Sequence, residues 1–360
     1  VTFGKNTIRF LLINMREDRM SDVIPNQFNS PMPKTPFYFA KKCFPFEKNP
    51  YLANYAGSKT SNGNIAKIMS AAGTAQLKTI SPYLVLKNKI KNSGEIYFNS
   101  SEIASDTDIA TYNEYLDAWE TRQGFNILHE QEYVTIASYE STTLQILQKL
   151  LDLSKSGIKG QKQLNAKFIK DNKSILDNVD VSKQNAIKYA FVNSKLLLIY
   201  GAAGTGKTTL INYISSLLPK AKKLFLTKTH TAIQHLKRRI DNPGNGSEFI
   251  SFDSFTRKVE LPDYDIIFVD ECSIIDNFTM LKFVKKISED SLIVLAGDVN
   301  QIESIDFGNW FYYAKDIITT QGANVELLDT WRTQEENLLS LWEEVRNNDV
   351  RITEKLVIDG

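Results

Sequence analysis

Nine consecutive residues, Gly201-Ala202-Ala203-Gly204-Thr205-Gly206-Lys207-Thr208-Thr209, satisfy G-x-x-x-x-G-K-[ST]. Glycines at these spacings let successive backbone N–H groups turn inward on a phosphate. A helix opening at Lys207 adds the positive end of its dipole. Lys207 then reaches the β- and γ-phosphates, and the Thr208 hydroxyl is a Mg²⁺ ligand. Some sixty residues on, Ile266-Ile267-Phe268-Val269 runs into Asp270-Glu271. Two adjacent acids at a strand end divide the labour, because alternation sends neighbouring side chains in different directions. Asp270 holds Mg²⁺, and Glu271 accepts the proton of the attacking water. The pair of motifs specifies binding of a nucleoside triphosphate, and hydrolysis rather than binding alone.

Such a site needs strands that end beside one another. Short β-type runs at 195–200, 223–227, 249–252, 265–269, 291–296 and 324–328 alternate with amphipathic stretches at 207–217, 232–240, 278–288, 309–317 and 335–347. That alternation predicts a parallel sheet covered by helices on both faces. Residues 141–180 read as helical, with Leu144, Ile146, Leu147, Leu150, Leu151 and Leu153 at helix-like spacing before a Lys/Asn/Ser-rich stretch. A domain boundary is expected near 165.

The remainder is less specific. The 360 residues carry 43 basic and 42 acidic side chains, so net charge supplies no case for a nucleic-acid partner. The balance is uneven along the chain: ten lysines face one acid, Glu47, from 34 to 94, and ten acids face one base, Arg122, from 95 to 140. Phe37, Tyr38, Phe39, Phe44, Phe46, Tyr51, Tyr55 and Tyr83 punctuate the basic half. Rings among lysines suit single-stranded nucleic acid, but rings without a recognisable motif are more often core, and the core reading is preferred. Two cysteines, Cys43 and Cys272, make no disulfide framework and no four-cysteine zinc site. With no membrane-length apolar run and no signal-peptide pattern, a soluble cytoplasmic chain is expected, and its start at Val1 suggests a fragment.

Further segments narrow the class. Ser182-Lys183-Gln184-Asn185-Ala186-Ile187 precedes the first strand of the series. Leu226-Thr227-Lys228-Thr229-His230-Thr231-Ala232 follows the second, and Ile250-Ser251-Phe252-Asp253-Ser254-Phe255 lies at the third. Gly297-Asp298-Val299-Asn300-Gln301-Ile302-Glu303-Ser304-Ile305 matches G-D-x-x-Q-(L/I)-x-S-(V/I), and Leu327-Leu328-Asp329-Thr330-Trp331-Arg332 precedes the last amphipathic stretch. In this order the segments resemble the first motor domain of a superfamily-one helicase of the RecD-like and Dda-like branch, from about 181 to 360. The resemblance implies an α/β fold: a RecA-like P-loop NTPase parallel sheet at 166–328, preceded by a mixed α+β domain of open role at 1–165 and followed by the start of a second motor domain at 329–360. It implies that Gln184 reads adenine, that Thr229, His230, Ser254 and Phe255 line the path of single-stranded DNA, and that Gln301 couples the γ-phosphate to that path. It implies also that Arg332 reaches the γ-phosphate across a cleft. His230 read without the resemblance is more often a helix-cap residue.

The expected function is therefore an ATP-dependent, Mg²⁺-requiring DNA helicase or translocase acting on single-stranded nucleic acid. Two alternatives stay open: an ATP-gated binding module, in which the N-terminal region meets a protein or nucleic-acid partner, and an RNA-directed helicase. Relatives of this branch carry a strand-separating insertion after the Ser254-Phe255 element. Here only residues 256–264 separate that element from the Asp270 strand, too few for one. Later motifs of the family do not occur before Gly360, so slow hydrolysis and little unwinding are expected of residues 1–360 alone.

Overall fold

The computed structural model describes residues 74–116, 118–258, 262–299 and 307–329, and the chain divides into two compact units, Val1–Ser141 and Thr142–Gly360. In the first unit, α1 (Thr74–Ser93) is followed by β1 (Phe98–Asn99), α2 (Asp106–Tyr115), α3 (Ala118–Arg122), β2 (Ile127–Glu130) and β3 (Tyr133–Ile136). The strands form an antiparallel sheet in the order β1-β3-β2. Its apolar residues include Leu86, Ile90, Ile109 and Val134, all within 2% of complete burial. Tyr83 stacks on Tyr112 at 5.4 Å inside this core. Of the eight rings flagged in the basic half, Tyr83 is thus a packing residue, as the core reading requires; the other seven lie outside the described residues.

The second unit takes in most of α4 (Ala137–Ser154), then α5 (Gln161–Asp171), α6 (Lys173–Leu176) and α7 (Val181–Tyr189). It therefore starts upstream of residue 165. The reason is packing: Ile146, Leu147, Leu150 and Leu153 of α4 are buried in the same cluster as the strands that follow. Those strands are β4 (Leu196–Gly201), β5 (Lys223–Thr227), β6 (Glu248–Ser251), β7 (Ile266–Val269), β8 (Leu292–Gly297) and β9 (Asn324–Leu327). All are parallel, in the order β6-β5-β7-β8-β4-β9. Between them lie α8 (Lys207–Leu217), α9 (His230–Arg239), α10 (Phe252–Arg257), α11 (Asn277–Val284) and α12 (Trp310–Ile317). Each expected strand in this region is present to within a residue or so, and the expected stretch at 335–347 lies outside the described residues.

Two-residue alternation explains why the sheet is apolar on both faces. Leu196, Leu198 and Tyr200 of β4 point into one cluster, with Ile293 and Leu295 of β8 and Ile267 and Val269 of β7. Leu197 and Ile199 point into the other, with Val294, Ala296, Ile266 and Phe268. In that second layer Phe225 stacks between Phe249 and Phe268, at 4.5 and 4.8 Å, tying three strands together. Among the described residues no helix is long and apolar enough to cross a membrane.

Sheet order is what positions chemistry. The neighbours β7, β8 and β4 bring three C-terminal ends into a row, carrying Asp270, Asp298 and the glycine loop. The middle end has no slack: a Cβ on Gly297 would lie 2.8 Å from Phe311 and 3.0 Å from the Ser273 backbone nitrogen.

One core residue contradicts the pattern. Lys223 opens β5 fully buried, and among the described residues its Nζ has no hydrogen-bond partner. Burial lowers its pKa, because desolvation penalises the ammonium form. In the unfolded chain lysine titrates near pH ~10.4, so below its folded pKa the burial cost is carried in full. That cost fades as pH rises toward the unfolded value, where neither state binds the proton. Lys223→Met is expected to stabilise the chain by about 1–3 kcal/mol at neutral pH. Thermal unfolding at pH 7 and pH 10 checks this: the gain should shrink at the higher pH, and a destabilised variant would show that the amine has a partner.

Candidate active site

The glycine loop leaves β4 and enters α8 through two left-handed residues, Gly204 (φ 88°) and Gly206 (φ 87°), a conformation that costs a side-chain-bearing residue energy. Gly206 is confined as well, since a Cβ there would come 2.9 Å from Lys183 Cε. Gly201 is closed off by Thr205 Oγ1, which would sit 2.5 Å from an added Cβ. The Thr205 hydroxyl donates to Ala202 O at 2.9 Å and holds the loop's curl. Lys207 Nζ donates to Gly201 O at 2.7 Å and Ala202 O at 3.0 Å, so the ammonium group lies folded over the loop.

Across the sheet, Asp270 is 8% exposed. The Thr208 hydroxyl donates to its Oδ2 at 2.9 Å, and the Glu271 N–H donates to its Oδ1 at 2.9 Å. Burial pushes the Asp270 carboxyl up; the Thr208 hydroxyl, the Glu271 amide and then the Lys207 charge pull it back. Lys207 is lowered by burial, with Asp298 and then Asp270 opposing. Asp298, 6% exposed, is therefore an electrostatic partner of the loop lysine, and its own N–H reaches Ser273 Oγ at 3.3 Å.

The two acids diverge for a reason other than strand alternation. β7 ends at Val269, and Glu271 takes a left-handed conformation, φ 56° and ψ 36°. That conformation leaves Glu271 exposed beside the buried Asp270, at a local cost of about 1 kcal/mol. The Glu271 side chain reaches solvent, yet partial desolvation and the neighbouring Asp270 charge raise its pKa. Cys272 behind it is fully buried, burial pushes its thiol well up, and it acts as a small core residue.

The loop opens on a cleft of about 740 Å³ lined also by Asn178, Val179, Asp180, Lys183, Tyr213 and Arg239. Asp180 caps α7, accepting from the Lys183 N–H at 2.9 Å, and the Lys183 ammonium is paired with the same carboxylate. Gln184 sits behind that wall. Its Nε2 donates to Leu176 O at 3.0 Å and Val179 O at 2.8 Å, so both amide protons bind the loop that lines the cleft.

The residues expected along a DNA path divide. Thr229 caps α9 by accepting the Ala232 N–H at 3.2 Å, and His230 is exposed as the helix's first residue. Ser254 is half-buried, its hydroxyl 2.7 Å from that of Ser251. Phe255 must be corrected: it is 1% exposed and packs on Phe283 at 5.4 Å, because α10 turns that side chain into the core. Gln301 and Arg332 lie outside the described residues. Tyr213 and Arg239 were missed by sequence reading. Tyr213 follows Thr209 by one helical turn and was detectable, whereas Arg239 becomes a cleft residue only through tertiary packing.

A family model described as an AAA domain matches residues 179–358. The chain belongs to this family. The matched span begins at the loop before α7 and takes in every side chain of the nucleotide pocket described above except Asn178. The chain also shares 28% identity over 163 residues with RecBCD enzyme subunit RecD of Buchnera aphidicola subsp. Acyrthosiphon pisum, an alignment covering 36% of this chain and 27% of the relative. The chain thus spans about a quarter of the curated relative it matches. Similar solved structures include Bacteroides Pif1 helicase in complex with ADP-AlF3 and ssDNA (14% identity, TM-score 0.29, 49% of this chain and 46% of that one). Pif1 helicase from Candida albicans also matches (15%, TM-score 0.28, 52% and 44%).

Glu271 supplies the site's sharpest test. Glu271→Gln should retain nucleotide binding while hydrolysis falls by about 10²–10⁴-fold. Glu271→Gly should lose hydrolysis too but gain about 1 kcal/mol of stability by relaxing the left-handed turn. Calorimetric binding, steady-state hydrolysis and thermal unfolding separate the two effects, and unimpaired hydrolysis in the Gln variant would remove Glu271 from the chemistry.

Proposed function

We propose that this protein is an ATP-dependent DNA helicase or translocase of superfamily one, coupling hydrolysis to movement along single-stranded DNA. The observation that carries the reading is the Thr208–Asp270 hydrogen bond across the mouth of the glycine loop, with Lys207 beside it. It supports triphosphate hydrolysis, because a hydroxyl and a buried carboxylate that meet in this way are both oxygen donors of the kind Mg²⁺ takes. Thr208 and Asp270 would hold that ion, and Mg²⁺ when bound offsets charge on the phosphate oxygens. Among the described residues no group of three or more His, Cys, Asp or Glu is placed to hold a metal alone. Phosphate oxygens and water would complete the shell, as suits a cation that keeps part of its hydration.

The chain's own residues then divide the work. Lys207 leaves the carbonyls of Gly201 and Ala202 and pairs with the β- and γ-phosphates. Backbone N–H groups of the loop hold the remaining oxygens. Glu271, exposed on its left-handed turn, takes the proton of the attacking water. Gln301 and Arg332 are assigned coupling and γ-phosphate roles by family resemblance. Thr229, His230 and Ser254, just past the C-terminal ends of β5 and β6, are assigned the strand path by the same resemblance. DNA rather than RNA is preferred through the likeness to RecD, and a cytoplasmic setting through the use of only two cysteines.

Hydrolysis by the full-length protein should rise at least about tenfold with single-stranded DNA, and Lys207→Ala should abolish nucleotide binding. Equal rates with and without any nucleic acid would reject the helicase reading. Stimulation by RNA alone would reassign its substrate.

A further inference from the structure

The Lys/Asn/Ser-rich stretch that follows α4 takes no part in the nucleotide pocket until Asn178. From 159 to 173 it holds five lysines, Lys159, Lys162, Lys167, Lys170 and Lys173, against one acid, Asp171. All five are exposed, and none of their ammonium groups has an ion pair or hydrogen bond among the described residues. Other lysines of the second unit do: Lys149 pairs with Glu289, Lys195 with Asp290, Lys228 with Asp253 and Lys315 with Glu326. Like charges three residues apart on a helix, as at Lys167 and Lys170, repel one another. The outer side of α5 therefore carries uncompensated positive charge, and a polyanion laid against it would relieve the repulsion.

The helix beneath these lysines is firmly seated. Gln161 and Asn165 are buried on its inner side. Gln161 Nε2 donates to Asn165 Oδ1 at 2.8 Å, and Asn165 Nδ2 donates to Ala190 O at 2.9 Å and Lys188 O at 3.2 Å. Just before the helix, the Ile158 N–H donates to Phe191 O at 2.8 Å, and a Cβ on Gly157 would come 2.1 Å from Val192 O. The start of α5 is thus fixed to the turn that feeds β4. In an all-parallel sheet that turn lies at the end opposite the C-terminal ends of β5 and β6, which Thr229, His230 and Ser254 follow. The lysine face is separate from the strand path that resemblance assigns.

We propose that the lysine face of α5 binds the phosphate backbone of a DNA duplex, as a second nucleic-acid surface apart from the single-strand path. At ~1.5 Å per residue, Lys162 to Lys170 spans about 12 Å of helix. With phosphates ~3.4 Å apart along each strand of a duplex, that length meets about three of them. Lysine offers phosphate a point charge and reads no base. Surfaces for single strands add rings on which bases stack. Between 159 and 173 the one ring is Phe168, half-buried against the core layer behind the helix. Backbone contact without a stacking platform fits double-stranded DNA, whose bases are already stacked on each other. This rests on the proposed action on DNA, and it adds a place where the duplex is held while hydrolysis moves the single strand.

Fluorescence anisotropy of the whole chain with a blunt hairpin duplex and with single-stranded DNA, from about 50 to about 200 mM salt, tests the proposal. Joint substitution of Lys162→Glu, Lys167→Glu and Lys170→Glu should weaken duplex binding at least about tenfold. It should also lower the salt slope of duplex binding by about 2–3, the share of three phosphate contacts, and leave single-strand affinity within about twofold. The same three lysines changed to Gln should give a smaller loss of the same kind. A control that alters net charge equally, Lys220→Glu with Lys282→Glu and Lys285→Glu, should leave duplex binding in place. Duplex affinity and slope unchanged in the α5 variant would overturn the proposal. So would an equal loss in the control, which would show only the effect of net charge, or a parallel loss of single strands, which would merge this face with the strand path. Polyglutamate binding that the α5 variant loses while duplex binding stays would reassign the face to an acidic protein. Hydrolysis by the full-length protein that single-stranded DNA does not stimulate would reject the motor reading, whichever way the duplex arm falls.

Discussion

A carboxylate removed from water and held by a single side-chain hydroxyl is the constraint on which this fold turns. Asp270 lies at the end of a strand apolar on both faces, held by one side-chain hydroxyl and one backbone amide. Burying a carboxylate with so few donors costs stability, and the chain could have avoided it with an apolar residue. What it obtains is an oxygen fixed opposite Thr208, on the far side of β8. The order β7-β8-β4 makes that span possible, and Gly297, with no space for a Cβ, lets β8 end flush between the two. The Glu271 turn follows from the same demand, since its N–H is one of the two donors that Asp270 has.

Much of the second unit was legible in the sequence because its signals are local. A strand, a glycine loop and a helix in that order leave few ways to fold, and the apolar runs flanked by helical periodicity fix a parallel sheet. Asp270 was legible for the same reason. The failures share a different cause: each depends on which way a side chain faces after packing. Phe255 and Ser254 are neighbours in sequence, but the short helix α10 sends the ring into the core and leaves the hydroxyl near the surface. Glu271 diverges from Asp270 through a left-handed residue that no propensity would place there.

Charge reading was least informative. The basic half of the N-terminal region invited a nucleic-acid surface, and Tyr83 turned out to stack on Tyr112 in a core. Lys223 is the opposite lesson, a cation in a strand that every pattern would expect to be apolar, buried with no hydrogen-bond partner among the described residues. Arg239 was invisible as a cleft residue because tertiary packing alone brings it there. Periodicity reports which face is inside; it does not report what meets across a cleft.

The role of Asp270 is tested most directly by the Mg²⁺ dependence of ATP affinity in wild type and in Asp270→Asn. The wild-type chain should bind ATP more tightly when Mg²⁺ is added, while the Asn variant, which keeps the shape but loses the charge, should bind with the same affinity in either condition. If Mg²⁺ strengthens binding equally in both proteins, Asp270 does not serve the ion, and its burial beside Thr208 has some other purpose.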